Sequence, residues 1–488
     1  MSKQKQPSLS MNLIMNIILT VSGFVFPLIT FPYISRVLLA EGNGKVQLAS
    51  SFISYFTIIS QLGIPTYGIR ACAAVRDDRT KLTRTVHELM MIQAVATLIS
   101  YALLIGFILS VPRLYQERQL YFITSLTILL GAIGMEWLFR AMEQYTYITI
   151  RSLVFKVIAI IAMFLLVKSK QDYVIYATIS VVAAAGSNIL NLTQLRKFID
   201  LKPVGGYQLR QHLRPVFVLF AYVCATTIYT NLDTVMLGFM ATDAEVGYYG
   251  VAVKLKNILV SVVTALGTVL LPRVSYYYEQ RLMDDFWKIV AKAFRVVLMM
   301  ALPLTVYFMA LAKDSIFFLS GTSYERSVLP MIIIMPTLVC IGLTSVTGNQ
   351  ILIPTKRENT ILHASLVGAL VDLILNAILI PDMGAAGAAI GTLVAEAVVL
   401  LYHFAVLRRE IKAMLCNMKL WSVLLATGLA SAASFWVESL GLSEFFALAF
   451  SAVLFFGTYL LVLLVAKDPV VMEIKGKMRS FVCKNRPQ

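Results

Sequence analysis

Long apolar runs separated by short polar stretches set the rhythm of this chain. A helix crosses a bilayer in about 20 mostly apolar residues, and about fourteen such runs follow one another. They lie near 11–35, 46–70, 86–111, 120–140, 148–167, 172–194, 214–240, 246–272, 289–312, 328–353, 360–380, 385–407, 420–440 and 445–466. Pro27, Pro32, Pro65, Pro303 and Pro336 fall within or near these runs and are read as bends, which neighbouring helices can accommodate. The first run, from about Met11 to Leu39, exceeds the roughly 7–15 residues of a signal-peptide core, and no small-x-small cleavage site follows. It reads as the first span. The pattern predicts an all-α integral membrane protein of about 14 transmembrane helices.

Composition agrees. Of 488 residues, 59% are hydrophobic and 14% charged, against about 25% charged in soluble domains. The net charge of +16 would suit a nucleic-acid binder only on a soluble basic surface, and here the basic residues sit in short loops between apolar runs. Cys72, Cys224, Cys340, Cys416 and Cys483 show no paired spacing, and His87, His212, His363 and His403 form no metal-binding pattern. Neither a metal site nor a nucleophile triad is visible in the sequence.

Loop charge orients the chain. With the N-terminus inside, the inner segments hold about 30 of the 42 Lys and Arg and the outer ones about 8, a bias that places both termini in the cytoplasm. An internal repeat is also visible. Leu62-Gly63 precedes Arg70 as Leu266-Gly267 precedes Arg273, and Gly44 and Gly247 match at an offset of about 203 residues. An even number of spans per copy relates the copies by an axis along the membrane normal. The expected plan is two six-helix lobes, 1–200 and 201–412, two further helices at 413–466, and a basic cytoplasmic tail at 467–488, drawn to anionic headgroups.

The stretch Gly134–Lys156 carries Glu136, Arg140, Glu143, Arg151 and Lys156 between strongly apolar runs. Charges at membrane depth cost about 2.5–3.5 kcal/mol each on insertion scales and face wet cavities or partners. Glu136 and Arg140 share a helical face and can pair, with Glu143 continuing the stripe. Arg151 and Lys156 are separated by roughly 140° around a helix, so both cannot point straight into one cavity. Arg70 and Arg273 occupy matching cytoplasmic ends, as anchors or as a pair of phosphate-binding guanidiniums. Lys254 and Lys256 lie two apart on the eighth span. Asp233, Asp372 with Asn376 on its face, and Glu396 are intramembrane acids, suited either to charge pairing or to coupling with a proton or cation gradient. Gly384, Gly387 and Gly391 form a small-residue packing face.

Several of these segments together resemble one family. Glu136–Lys156 resembles the glutamate-tryptophan segment of the bacterial polysaccharide repeat-unit flippases, members of the multidrug/oligosaccharidyl-lipid/polysaccharide exporter superfamily. Leu62–Arg70 resembles that family's second-span signature, Thr230–Leu255 its seventh-to-eighth span turn, and Asn376–Glu396 its eleventh-to-twelfth junction. Arg140-Ala141 replaces a glycine often found in the first of these. The resemblance implies a bacterial cytoplasmic membrane protein that moves undecaprenyl-pyrophosphate-linked oligosaccharide to the outer leaflet for capsule, exopolysaccharide or O-antigen assembly. It implies a transporter, not an enzyme, without a cofactor and working by alternating access around a cationic cavity, with membrane lipids, a polysaccharide polymerase and glycosyltransferases as partners; the placement of the basic residues in short loops speaks against nucleic acid. Arg70, Arg273, Arg140, Arg151, Lys156, Lys254 and Lys256 are the cavity candidates; Glu136, Asp233, Asp372 and Glu396 are the coupling or pairing candidates. The alternatives are a multidrug exporter of the superfamily, a peptidoglycan-precursor flippase, and a membrane polymerase or ligase, which would be expected to carry a large outer loop.

Overall fold

In hydrocarbon a backbone must satisfy its own hydrogen bonds, which leaves helices as the solution for a chain with this pattern. The computed structural model describes residues 9–416, 420–473 and 475–476; Lys3, Lys5 and the end of the basic tail lie outside them. Among the described residues every regular element is helical. Nine helices there are long and apolar enough to cross a membrane, ten if one bent pair counts as a span. The number fourteen is not reproduced on length and apolarity alone. One reason is that Met11–Ala74 passes as a single stretch, although the sequence reading places two spans in it. The protein is a multi-pass membrane protein.

Two compact units divide the chain, Met1–Gly247 and Tyr248–Gln488. The sequence reading draws the boundary between lobes at 200/201. The units divide later because the next helix packs against the first one of the chain.

The first unit contains α1 (Leu9–Gln61), α2 (Ile64–Ala74), α3 (Arg79–Ser110), α4 (Pro112–Gln116), α5 (Arg118–Gly134), α6 (Glu136–Ala141), α7 (Tyr145–Leu166), α8 (Tyr173–Ala185), α9 (Ile189–Gln194) and α10 (Arg210–Met240). Helix α1 bends at Leu39, whose φ of 57° and ψ of −174° are not helical. Helix α2 starts after Leu62 and Gly63, both with positive φ, so the expected second span is broken there and Pro65 lies in the first turn of a new helix, where its missing N–H costs nothing. Around α1 pack α3, α5, α7, α8 and α10. A core of Trp137, Leu138, Phe139, Leu89 and Phe198 gathers beneath α2 and α6.

Gly44 and Gly247, matched by the repeat, meet in this unit. A Cβ on Gly44 would lie 1.7 Å from the Asp243 carbonyl oxygen, and one on Gly247 would lie 2.0 Å from the Ala40 oxygen. Only hydrogen fits between these backbones, which is why both positions are glycine.

Helix α11 (Asp243–Glu279) leads into the second unit, followed by α12 (Met283–Ala310), α13 (Ala312–Ser320), α14 (Val328–Ile334), α15 (Thr337–Val346), α16 (Glu358–Met383), α17 (Ala385–Val406), α18 (Arg408–Cys416), α19 (Trp421–Ser434) and α20 (Glu444–Val465). At Pro336 the chain bends by 42° between α14 and α15. Helices α16 and α17 form a hairpin, on which Gly387 and Gly391 approach the Leu379 backbone and the Asn376 side chain closely enough to exclude a Cβ; the small-residue face is a packing surface. Helices α19 and α20 pack on α12, where the Tyr459 hydroxyl donates to the Met299 carbonyl (2.8 Å). The start of the expected tail is packed: Asp468 is buried and accepts from Arg295 and from Ser422.

Candidate functional site

The charged stretch is built around a helix break. Helix α5 stops at Gly134, and Met135 takes a left-handed conformation (φ 42°, ψ 42°) before α6 begins at Glu136. Asn191 donates to the Gly134 carbonyl oxygen, satisfying a group that the break would orphan. The Asn188 Cβ occupies the space that a Cβ on Gly134 would need. This turn delivers Glu136 to two guanidiniums at once.

Glu136 Oε1 accepts from Arg140 Nε at 2.9 Å and Nη2 at 2.7 Å. Its other oxygen, Oε2, accepts from Arg151 Nη2 at 2.9 Å. Arg151 also donates through Nη1 to Asn188 Oδ1 (2.9 Å) and Ser187 Oγ (3.2 Å), and its guanidinium lies 5.7 Å from the centre of the Tyr147 ring. At 4% exposure Arg151 is enclosed, whereas Arg140 and Glu136 are part-exposed. One carboxylate thus serves two fixed cations, and the cluster carries a net positive charge. The expected Glu136–Arg140 pair forms. The stripe does not continue to Glu143: α6 ends at Ala141, Glu143 turns at φ 56°, and its Oε1 accepts from Arg76 Nη1 at 2.8 Å instead.

Lys156 stands apart from this cluster, five residues beyond Arg151 on α7, and donates from Nζ to Ser22 Oγ at 2.8 Å. Arg70 is exposed on α2 and makes no ion pair among the described residues. Asp233 is buried on α10. In the second unit, Arg273 is exposed on α11, where its Nε donates to the Tyr277 hydroxyl (3.1 Å) and its guanidinium lies 5.6 Å from the centre of that ring. Lys254 and Lys256 are half-buried on the same helix. Asp372 and Asn376 are both buried on α16 and both face Gly391 of α17. Glu396 is half-buried further along α17. No grouping of three or more metal-ligating side chains occurs among the described residues.

A second polar cluster in the first unit lies outside the sequence-based candidates. Glu88, 1% exposed on α3, accepts from His212 Nε2 at 2.7 Å, from the Gln208 backbone N–H at 2.6 Å and from Gln211 Nε2 at 3.3 Å. His212 Nδ1 in turn lies 2.8 Å from the Tyr67 hydroxyl. The only sign of it in the sequence is an acid set in the apolar run after Val86; its partners are more than 100 residues away in one direction, a separation no local pattern conveys.

Comparison with known proteins places this arrangement. Residues 9–278 match the family described as polysaccharide biosynthesis protein. A protein of Escherichia coli (strain K12) named "Putative O-antigen transporter" is 24% identical over 404 residues, covering 80% of this chain and 95% of its own. A Shigella dysenteriae protein of the same name is 23% identical over 388 residues, covering 78% and 95%. Among solved structures, the lipid II flippase MurJ in an inward closed conformation aligns with a TM-score of 0.73 at 16% identity, over 94% of this chain and all of its own. A multidrug resistance MATE family transporter of the MOP superfamily aligns at 0.61 and 12% identity, over 83% and 99%. At those identities the structures speak for the fold alone.

Proposed function

Because the chain belongs to the polysaccharide biosynthesis protein family, we propose that it is a transporter, not an enzyme, that flips lipid-linked oligosaccharide across the bacterial cytoplasmic membrane. In this reading the cargo is an undecaprenyl-pyrophosphate-linked repeat unit, carried from the inner to the outer leaflet by alternating access. Both termini are cytoplasmic, and a proton or cation gradient supplies the energy.

The observation that carries the reading is the division of labour among the cations. The physical task is to hide a polyanionic headgroup from hydrocarbon, which a cationic surface makes less costly. Arg151 is enclosed and committed to Glu136, while Arg70 and Arg273 are exposed and without ion pairs among the described residues. A planar guanidinium in that condition can donate two bonds to a phosphate at once. Arg70 and Arg273 are therefore the residues assigned to the pyrophosphate, and Arg151 with Glu136 supports the α5–α6 break. The relatives' name, O-antigen transporter, is consistent with the cargo class.

The test is polymer export in a strain lacking the gene. An Arg70→Glu, Arg273→Glu double variant that inserts at wild-type level should lower surface polymer by at least about tenfold, since losing either of its two charged phosphate contacts is worth about that factor. Wild-type export from that variant overturns the assignment.

A further inference from the structure

Three connections of the first unit line one cavity of about 580 Å³: the stretch after the bend in α1, helix α4 with the start of α5, and the turn from α10 into α11. The close approach of Gly44 to the Asp243 carbonyl oxygen brings that turn against α1. Lys45 Nζ donates to Glu117 Oε1 at 2.7 Å and lies 3.7 Å from Glu41, and Arg113 Nη2 donates to Asp243 Oδ1 at 2.8 Å. Glu117 Oε2 accepts from the Tyr173 hydroxyl, also at 2.8 Å. With the N-terminus inside, the connections between the first and second, third and fourth, and seventh and eighth spans all fall on the outer side.

Small-molecule sites typically span about 300–1,000 Å³, so the volume suits such a ligand, and the lining selects its class. Glu41, Glu117 and Asp243 face Lys45 and Arg113, so an anion would meet a net negative wall. A cation would compete with Lys45 and Arg113 for carboxylates they already hold. An uncharged ligand leaves both pairs whole. Three polar groups of the lining make no hydrogen bond among the described residues: Asp243 Oδ2, the Gln116 amide and the Tyr121 hydroxyl. Tyr121 is the telling one. The residue is 3% exposed and its ring packs edge-on against Phe52, with centroids 5.7 Å apart, yet its hydroxyl has no partner there. Buried polar side chains are nearly always bonded, so this one points to a ligand. A sugar hydroxyl both donates and accepts: it can give to the carboxylates and take from the ammonium, guanidinium and amide around it. Leu48, Leu120 and Ala244 supply apolar wall for the C–H faces of a sugar ring.

We propose that this cavity is a saccharide site, taking a short uncharged oligosaccharide through Tyr121, Gln116 and Asp243, and that it holds the sugars of the cargo on the outer side. The second half of the statement rests on the flippase reading; the first does not. The site divides recognition in two: exposed guanidiniums take the charged pyrophosphate, and this ion-paired wall takes the neutral sugars.

Saturation-transfer NMR on the full-length chain in nanodiscs tests it. The probes are uncharged trisaccharides of glucose, mannose and galactose, fragments of the surface polymer whose display requires this gene, and a uronic-acid trisaccharide as the acidic control. Uncharged probes should bind, the acidic one should bind more weakly, and excess sodium pyrophosphate should displace none of them. Tyr121→Phe, which keeps the ring on Phe52, and Gln116→Ala, at an exposed position, should each weaken binding by about threefold to tenfold, the worth of one hydrogen bond. Absence of binding by every probe, preference for the acidic one, displacement by pyrophosphate, or unchanged affinity in both variants overturns the site. Polymer export is measured in parallel: the Tyr121→Phe, Gln116→Ala double variant should export less than wild type, and equal export refutes the role in transport. Failure of the wild-type gene itself to restore polymer would refute the flippase reading and leave the binding result standing.

Discussion

Two carboxylates in the same unit are treated in opposite ways. Glu136 is paired with two arginines, whose charge does not vary at any ordinary pH, and it is part-exposed. Glu88 is enclosed and is held instead by an imidazole, a backbone N–H and a side-chain amide, those of His212, Gln208 and Gln211. The first arrangement fixes a shape: it holds the broken end of α5 against α7 and the turn at Ser187-Asn188. The second ties the start of α10 and the segment before it to α3.

The largest expected effect falls on the fixed pair. Glu136→Ala leaves Arg151 enclosed without a counter-ion, and removing one partner of a buried pair costs about 3–5 kcal/mol. The part-exposed Arg140 bond should be worth under about 1 kcal/mol, so Arg140→Ala should unfold close to wild type. Denaturant or thermal unfolding in detergent ranks the two, and equal losses would break the distinction. Glu88→Gln should fall between them. It keeps an acceptor for the Gln208 N–H while weakening the bond to His212, a loss of about 1–3 kcal/mol.

The smallest effect sharpens the comparison from outside the membrane. Asp78 is half-exposed and caps α3, its Oδ1 accepting from the Thr80 and Lys81 N–H groups at 3.0 and 3.1 Å. The Lys81 N–H, more than any other group, holds its carboxyl below the usual carboxylate range. A depressed folded value means the stabilisation is present above the unfolded value of about 3.9 and is lost as pH falls through the folded one. Unfolding temperature should therefore carry the Asp78 contribution in full at neutral pH and lose it below about pH 4. Asp78→Asn, which also caps, should remove that share of the acid sensitivity.

Helical class and membrane residence were legible because they depend on apolar run length, which is local. The Glu136–Arg140 pair was legible for the same reason, being one turn apart. What could not be read were the breaks at Leu62-Gly63 and Met135, since a leucine or methionine in a left-handed turn carries no composition signal. Nor could Arg151's commitment to Glu136 be read: fifteen residues and a reversal separate them. The Glu88–His212 and Arg295–Asp468 contacts span 124 and 173 positions, and only folding brings such residues together.

The contact of Gly44 and Gly247 has a mechanical consequence. Side chains in a seam act as padding: rotamers shift, and the joint yields by degrees. Backbone meeting backbone has no such compliance, and packed contacts of this kind switch between discrete arrangements instead of stretching. Stiffness at this point follows from the absence of atoms.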